Sequence, residues 1–116
     1  MQKLKLLSLS LLCFFSLAGV SFAQQPAVQV GSDWRRMSLN QCATNARTAM
    51  RRENLAMSAD GGLVWGTSGN SVVMVHCIPM NGGVFIEVVA ASQNSQTAEH
   101  YRNAIRSYVF DARPID

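Results

Sequence analysis

The sequence predicts a small α+β domain in which two helices pack on one face of a three-stranded antiparallel meander, closed by one disulfide. Three observations predict this fold. Apolar residues recur at helical spacing over residues 39–50 and 98–109. Three runs rich in β-branched residues lie between these segments. Short glycine-containing turns separate the runs, and such turns join antiparallel rather than parallel strands. The predicted order is α-β-β-β-α.

The first 23 residues have the three regions of a secretory signal peptide. Two lysines give a positive start, and an apolar stretch follows from 6 to 20. Ser21 and Ala23 supply the small-x-small pattern that signal peptidase accepts. A membrane anchor is the alternative, but this stretch contains serines and is shorter than the roughly 20 residues of a spanning helix. We expect residues 1–23 to be removed, leaving a periplasmic or secreted protein with no transmembrane span.

Removal of the signal changes both the charge and the cysteine count. The whole chain has a net charge of +3, but Lys3 and Lys5 lie in the signal, so eight arginines remain against seven acids. This balance does not indicate a nucleic-acid-binding protein. The remaining cysteines, Cys42 and Cys77, form an even pair, which predicts a disulfide in an oxidising compartment. A reactive or metal-binding thiol pair is the alternative, but the two cysteines do not form a Cys-x-x-Cys motif.

The mature chain divides into a lead-in and one domain. Residues 24–36 are mostly small or polar and are predicted to be flexible, and residues 37–113 are predicted to form the domain. The first helix begins after Ser38, because Ser38 and Gln41 have the spacing of a capping box. Its apolar stripe is mostly alanine, so the helix can approach a sheet closely. We expect it to end near Asn54.

Three strands and a second helix follow. The strands are predicted at residues 63–67, 71–78 and 84–91. Pro79 is expected to stop the second strand, since proline has no N–H to donate. The last helix begins at Asn94 or Ser95, either of which can cap it, and Pro114 keeps the tail out of it.

The disulfide predicts which face of the sheet is buried. If Cys77 points to the helices, every second residue of its strand does so too, and the others face away. Pairing across a three-residue turn puts Trp65 on the helix side. The core is then expected to contain Val73, Val75, Val84, Ile86, Val88 and Ala90. The open face is expected to carry Val64, Val72, Met74, His76, Ile78, Phe85, Glu87 and Val89.

An apolar sheet face of this size is large for a monomer. We expect a second copy or another protein to cover it, because a flat face lacks the concavity that a small-molecule site needs. In the alternative, residues 26–34 fold back over it with Val28 and Trp34. The sequence therefore predicts a non-enzymatic binding module, a homodimer or the partner of another protein. Its expected interaction face comprises Val72, Met74, His76, Phe85 and Glu87.

Arginines around the first helix predict an alternative function, the binding of an anionic ligand. Arg47 and Arg51 are one helical turn apart, so their charges add. Guanidinium groups bind phosphate and carboxylate in bidentate fashion. A solvated helix face, neutralised in part by nearby acids, is the other interpretation. The set consists of Arg35, Arg36, Arg47, Arg51 and Arg52.

His76 and Glu87 are the remaining candidates for chemistry. If they are adjacent, they support acid–base catalysis or half of a metal site, as in a small hydrolase or metalloenzyme. A structural cross-strand pair is the commoner role. The sequence has no Gly-x-Ser-x-Gly elbow and no phosphate-binding loop. We therefore predict no enzymatic activity, no catalytic residue, no metal site and no cofactor.

Overall fold

The structure, a computed structural model, describes residues 25–111. The predicted signal peptide and Pro114 lie outside the described residues. Within them the chain is α+β, as predicted, with two helices and five strands. In chain order the elements are β1 (Ala27–Arg35), α1 (Leu39–Arg52), β2 (Ala56–Asp60), β3 (Leu63–Ser68), β4 (Ser71–Met80), β5 (Gly83–Ser92) and α2 (Ser95–Asp111).

Both helices begin at predicted caps. The Ser38 hydroxyl accepts a hydrogen bond from the Gln41 N–H at 3.0 Å, and the Asn94 side-chain oxygen accepts two from the N–H groups at the start of α2. The expected capping box is only half formed. The Gln41 side chain donates to Asn45 Oδ1 at 2.7 Å rather than reaching back to Ser38.

Asn45 joins the two helices through a buried polar contact. Its side chain is 5% exposed, and its Nδ2 donates to the Val109 carbonyl in the last turns of α2 at 3.3 Å. A buried amide must be hydrogen-bonded to avoid a desolvation cost of a few kcal/mol. The bonds to Gln41 and Val109 therefore fix the end of α2 against the start of α1.

The strands form one antiparallel sheet in the order β1-β5-β4-β3-β2. The predicted three-stranded meander corresponds to β3, β4 and β5 in the centre of this sheet. The prediction omitted the two edge strands, β1 and β2. β2 was missed because its sequence, Ala-Met-Ser-Ala-Asp, contains no β-branched residue. It enters the sheet after Asn54 reverses the chain with φ 58°, and the turn at Gly61 and Gly62 returns it into β3.

Residues 27–35, predicted to belong to a flexible lead-in, form the edge strand β1. This strand pairs with β5 over its whole length, from Ala27 opposite Ser92 to Arg35 opposite Val84. The composition of this segment did not indicate a strand, because an edge strand at the margin of a core needs few apolar residues. The pairing comes from backbone hydrogen bonds to β5, and the folded domain thus begins before Met37.

The disulfide and the predicted core are confirmed. Cys42 of α1 is bonded to Cys77 of β4, with their Cα atoms 6.1 Å apart. The predicted core residues of β4 and β5, and Cys77 with them, have at most 2% of their surface exposed. They comprise Val73, Val75, Cys77, Val84, Ile86, Val88 and Ala90.

The predicted placement of Val64 and Trp65 was wrong, because the turn after β3 is one residue shorter than expected. Ser68 pairs directly with Ser71, and Gly69 takes φ 55°, as the first position of a two-residue type II′ turn requires. A register shift of one residue exchanges the two faces of a strand. Val64 is therefore buried in the core, and Trp65 pairs with Met74 on the open face.

Pro79 does not end β4, which continues to Met80. The Cys77 N–H donates to the Gly62 carbonyl, so the nitrogen of Pro79, two residues on, also points to the β3 side. β3 begins only at Leu63, and no strand lies beside Pro79 there. The missing N–H therefore removes no hydrogen bond from the sheet.

Replacement of both cysteines by alanine should destabilise the fold strongly. The disulfide closes a loop with a sequence separation of 35 residues. On the chain-entropy argument it contributes about 4 kcal/mol to the free energy of unfolding. Urea denaturation of the wild type and of C42A/C77A should show this loss. Adding a reductant should lower the stability of the wild type and leave that of the double variant unchanged, and equal stability of the two proteins under oxidising conditions would contradict the prediction.

Candidate functional site

The candidate site is the sheet face opposite the two helices, which we call the open face. Directly paired residues of an antiparallel sheet have their side chains on the same face, so the register defines rows across it. Two apolar rows flank a polar row. They are Val30, Val89, Met74 and Trp65 on one side, and Trp34, Phe85 and Ile78 on the other. The row between them is Ser32, Glu87, His76, Leu63 and Asp60, which is polar except for Leu63.

The open face holds the exposed large apolar side chains of the described part of the chain. Their exposed fractions range from 40% to 55%. Alternation along the strands places every one of them on this face and none on the helix layer. They are Val28, Val30, Trp34, Val72 and Met80.

All five residues of the predicted interaction face lie on the open face. Val72, Met74 and His76 occupy every second position of β4 and so share one face, and Phe85 and Glu87 lie on β5. Several of their neighbours on β1 and β3 were not predicted to lie on this face. Two signals were available, the alternation of valines at 28 and 30 and the reading of Gly69-Asn70 as a two-residue hairpin turn. The missed residues are Val28, Val30, Trp34, Leu63 and Trp65.

β1 enlarges the open face and does not cover it. Residues 26–34 were the segment expected, in the alternative, to fold back over the sheet with Val28 and Trp34. Instead they extend the sheet at its β5 edge, and their apolar side chains project from the same face. The Trp34 indole lies across Gly83 at the end of β5. The apolar surface is therefore wider than the sequence alone indicated.

His76 and Glu87 are directly opposite each other on β4 and β5, as the sequence suggested. The His76 side chain is exposed, and Glu87 is half-buried. In residues 25–111, ion pairs within 4 Å join other groups, Arg35 to Asp33 and His100 to Glu53. No cluster of three or more His, Cys, Asp or Glu that could hold a metal ion occurs in this range. The two residues thus form a cross-strand pair on a flat surface.

The five arginines of the predicted anion patch are not on one surface. The Arg35 guanidinium lies 4.9 Å from the centre of the Phe110 ring, and that of Arg52 lies 4.8 Å from the centre of the Tyr108 ring. Phe110 and Tyr108 are two residues apart on α2 and so project about 200° apart. Arg35 and Arg52 therefore contact different sides of this helix.

The other three arginines of that set lie on or before α1. Arg47 is half-buried, and its Nη2 lies 3.5 Å from the Thr44 hydroxyl, while Arg36 and Arg51 are exposed. Arg47, Arg51 and Arg52 lie on α1, on the opposite side of the sheet from the open face.

Neither helix among the described residues combines the length and apolarity needed to cross a membrane. A scan against models of known protein families and a search of curated proteins found no match. The function is therefore inferred from the surfaces of the chain.

The pKa of Asp33, a carboxylate at the end of β1, is clearly shifted. The hydrogen bond from Arg35 Nη1 at 2.6 Å, and a second from the Trp34 N–H at 2.8 Å, lower the pKa of Asp33 below its usual value. Asp33 is exposed, so the effect on stability is screened and small. The pair orients Arg35 where β1 meets α2.

We expect Asp33→Asn to destabilise the protein slightly at neutral pH. A carboxyl whose pKa is lower in the folded state stabilises the fold at pH values above its unfolded pKa, which is about 3.9 for Asp. That contribution is lost as the pH falls through the folded-state pKa. Urea denaturation should therefore show a gap between wild type and variant at pH 7 that closes below about pH 4. Asp60→Asn is the matched control, because Asp60 is exposed and has no ion pair within 4 Å in residues 25–111. A similar gap for it would contradict the role of the Arg35 contact.

Proposed function

We propose that this chain is an exported, non-enzymatic binding module that pairs with a second copy of itself through the open face. The observation that carries the proposal is the location of the exposed large apolar side chains of the described chain, all on this face. Patches of this kind mark interaction sites in soluble domains. Export is supported by the signal-like N-terminal sequence and by the Cys42–Cys77 disulfide, which is typical of oxidising compartments.

A second copy suits this face because the rows are self-complementary. A two-fold axis parallel to the strands, between β4 and β5, lays β4 of one copy over β5 of the other. Each residue of β4 and β5 then faces the one it pairs with in its own sheet, so His76 meets Glu87 of the second copy. Met74 likewise meets Val89, and Ile78 meets Phe85, so apolar residues oppose apolar residues in both flanking rows of these two strands.

The dimensions of the face fit a stable dimer. Five strands spaced about 4.8 Å apart span about 19 Å, and strands of ten residues are about 33 Å long. The projected area is roughly 600 Å², and the relief of the side chains adds to the accessible area. This is of the order of the ~800 Å² that each partner of a standard interface buries. Two such sheets pack face to face about 10 Å apart.

The same surface is a poor site for catalysis. Its titratable pair, His76 and Glu87, has no third group of the metal-ligand type beside it within the described chain. A flat face also leaves a bound small molecule in contact with water, whereas ligand sites bury most of their ligand. Association therefore accounts for the apolar rows better than a reaction does.

We expect the mature wild type to be a dimer at micromolar concentration and Met74→Lys to be a monomer. Met74 is half-buried in the centre of the open face, so lysine there places a charge inside the interface and leaves the core untouched. Analytical ultracentrifugation or light scattering gives the mass. Phe85→Lys tests the row on the other side of His76 in the same way.

Thr44→Lys is the matched control, because it adds the same charge on the exposed side of α1. It should remain dimeric. A monomeric wild type would overturn the proposal, as would a dimer that Met74→Lys and Phe85→Lys leave intact. Circular dichroism of each variant separates loss of association from loss of the fold.

A further inference from the structure

A second surface lies away from the open face, in a groove between β1 and α2. The groove has a volume of about 360 Å³. Its walls are the middle of β1 and one side of α2, contributed by Val30, Gly31, Ser32, Arg102, Asn103 and Arg106. The structure places both arginines of α2 against the backbone of β1.

Gly31 makes this arrangement sterically feasible. A Cβ atom at this position would lie 2.7 Å from Arg106 Cδ and 3.4 Å from Arg102 Cδ. The backbone of Gly31 is not in the left-handed region, so its conformation does not demand glycine. Glycine in the interior of a strand lowers stability and often marks a close approach of another group. Here it lets two arginine side chains lie across the strand.

The two guanidinium groups bring positive charge to the groove, and within residues 25–111 neither makes an ion pair within 4 Å. Asp33 is near enough for the charge of Arg106 to help lower its pKa, but its carboxylate is bonded to Arg35. Arg106 packs over the Phe110 ring at 4.6 Å. Arg102 Nε donates to Asn103 Oδ1 at 2.9 Å, and its Nη1 is 3.4 Å from the Val30 carbonyl. Most guanidinium N–H groups thus have no protein acceptor among the described residues.

The outer edge of β1 adds backbone donors. The Trp34 N–H is bonded to the Asp33 carboxylate, the Trp34 carbonyl accepts from Arg35 Nη1, and the Val30 carbonyl faces Arg102. N–H and C=O groups of alternate residues point to the same edge of a strand. The N–H of Ser32, between these two positions, therefore points away from β5 on the groove side. Backbone N–H groups combined with arginines form anion sites.

We propose that this groove binds a tetrahedral oxyanion, a phosphate or sulfate group, between Arg102, Arg106 and the outer edge of β1. Two guanidinium groups one helical turn apart supply parallel N–H donors to adjacent oxygens of such a group. The Ser32 N–H donates to a further oxygen. The site is independent of the open face, since its arginines are on the helix side of the sheet.

The test is a titration of the mature protein with inorganic phosphate, in which the NMR chemical shifts of the backbone amides are measured. A second titration uses inorganic sulfate. Sodium chloride at equal ionic strength is the blank. Saturable shifts are expected at Gly31, Ser32 and Asn103. R102Q/R106Q should weaken binding at least about tenfold, the effect of losing charge-assisted hydrogen bonds. R47Q/R51Q removes the same charge from α1 and should leave binding unchanged.

Gly31→Ala gives a test without a change of charge. The added methyl group displaces the flexible end of Arg106, so binding should weaken while the thermal midpoint stays the same or rises. Shifts that do not saturate, or that equal the chloride blank, would overturn the proposal. So would an equal loss in R47Q/R51Q, which indicates attraction to net charge alone. Saturation by only one of the two anions identifies which oxyanion the groove takes.

Discussion

The link between Cys42 and Cys77 determines how the rest of the molecule is arranged. It fixes α1 against β4, and because side chains alternate along a strand, one fixed residue decides which face of β4 is buried. Antiparallel pairing carries that choice across the sheet through β5 to β1 and through β3 to β2. Within residues 25–111 the helices cover one face of the sheet, and no element lies over the other. Both the apolar rows and the accessible His76–Glu87 pair follow from this single covalent constraint.

Much of the central fold could be predicted because local chemistry determines it. Ser38 and Asn94 are strong caps, and the cysteine pair orients the valine-rich strand that contains Cys77. The outer parts could not be predicted in the same way. β1 and β2 are held by backbone pairing to a neighbouring strand, which leaves little trace in the identity of their side chains. The error at Val64 and Trp65 had a different origin, since one residue of turn length reverses the faces of a whole strand.

The two candidate surfaces also differ in how far they could be predicted from the sequence. The residues of β4 and β5 on the open face follow from alternation, so they could be named from the sequence. The role of the arginines depends on contacts between elements far apart in the chain, such as the contact of Arg35 with Phe110, which Arg106 also contacts. Helical spacing indicates which arginines are neighbours on one helix and nothing about the ring or strand they meet. Arg35 and Arg52 were thus expected together, whereas the structure separates them around α2.

The outer edge of β1 has a consequence for how the protein can assemble. The Trp34 carbonyl accepts a hydrogen bond from Arg35 Nη1 at 2.9 Å, and the Val30 carbonyl faces Arg102 Nη1. These carbonyls would otherwise be free to pair with another strand, and charged groups at an edge oppose such pairing. Strand addition repeats without limit and leads to fibres, whereas contact between faces closes after two copies. Because arginines occupy the carbonyls of this edge, growth into a continuous cross-β polymer is disfavoured on the β1 side.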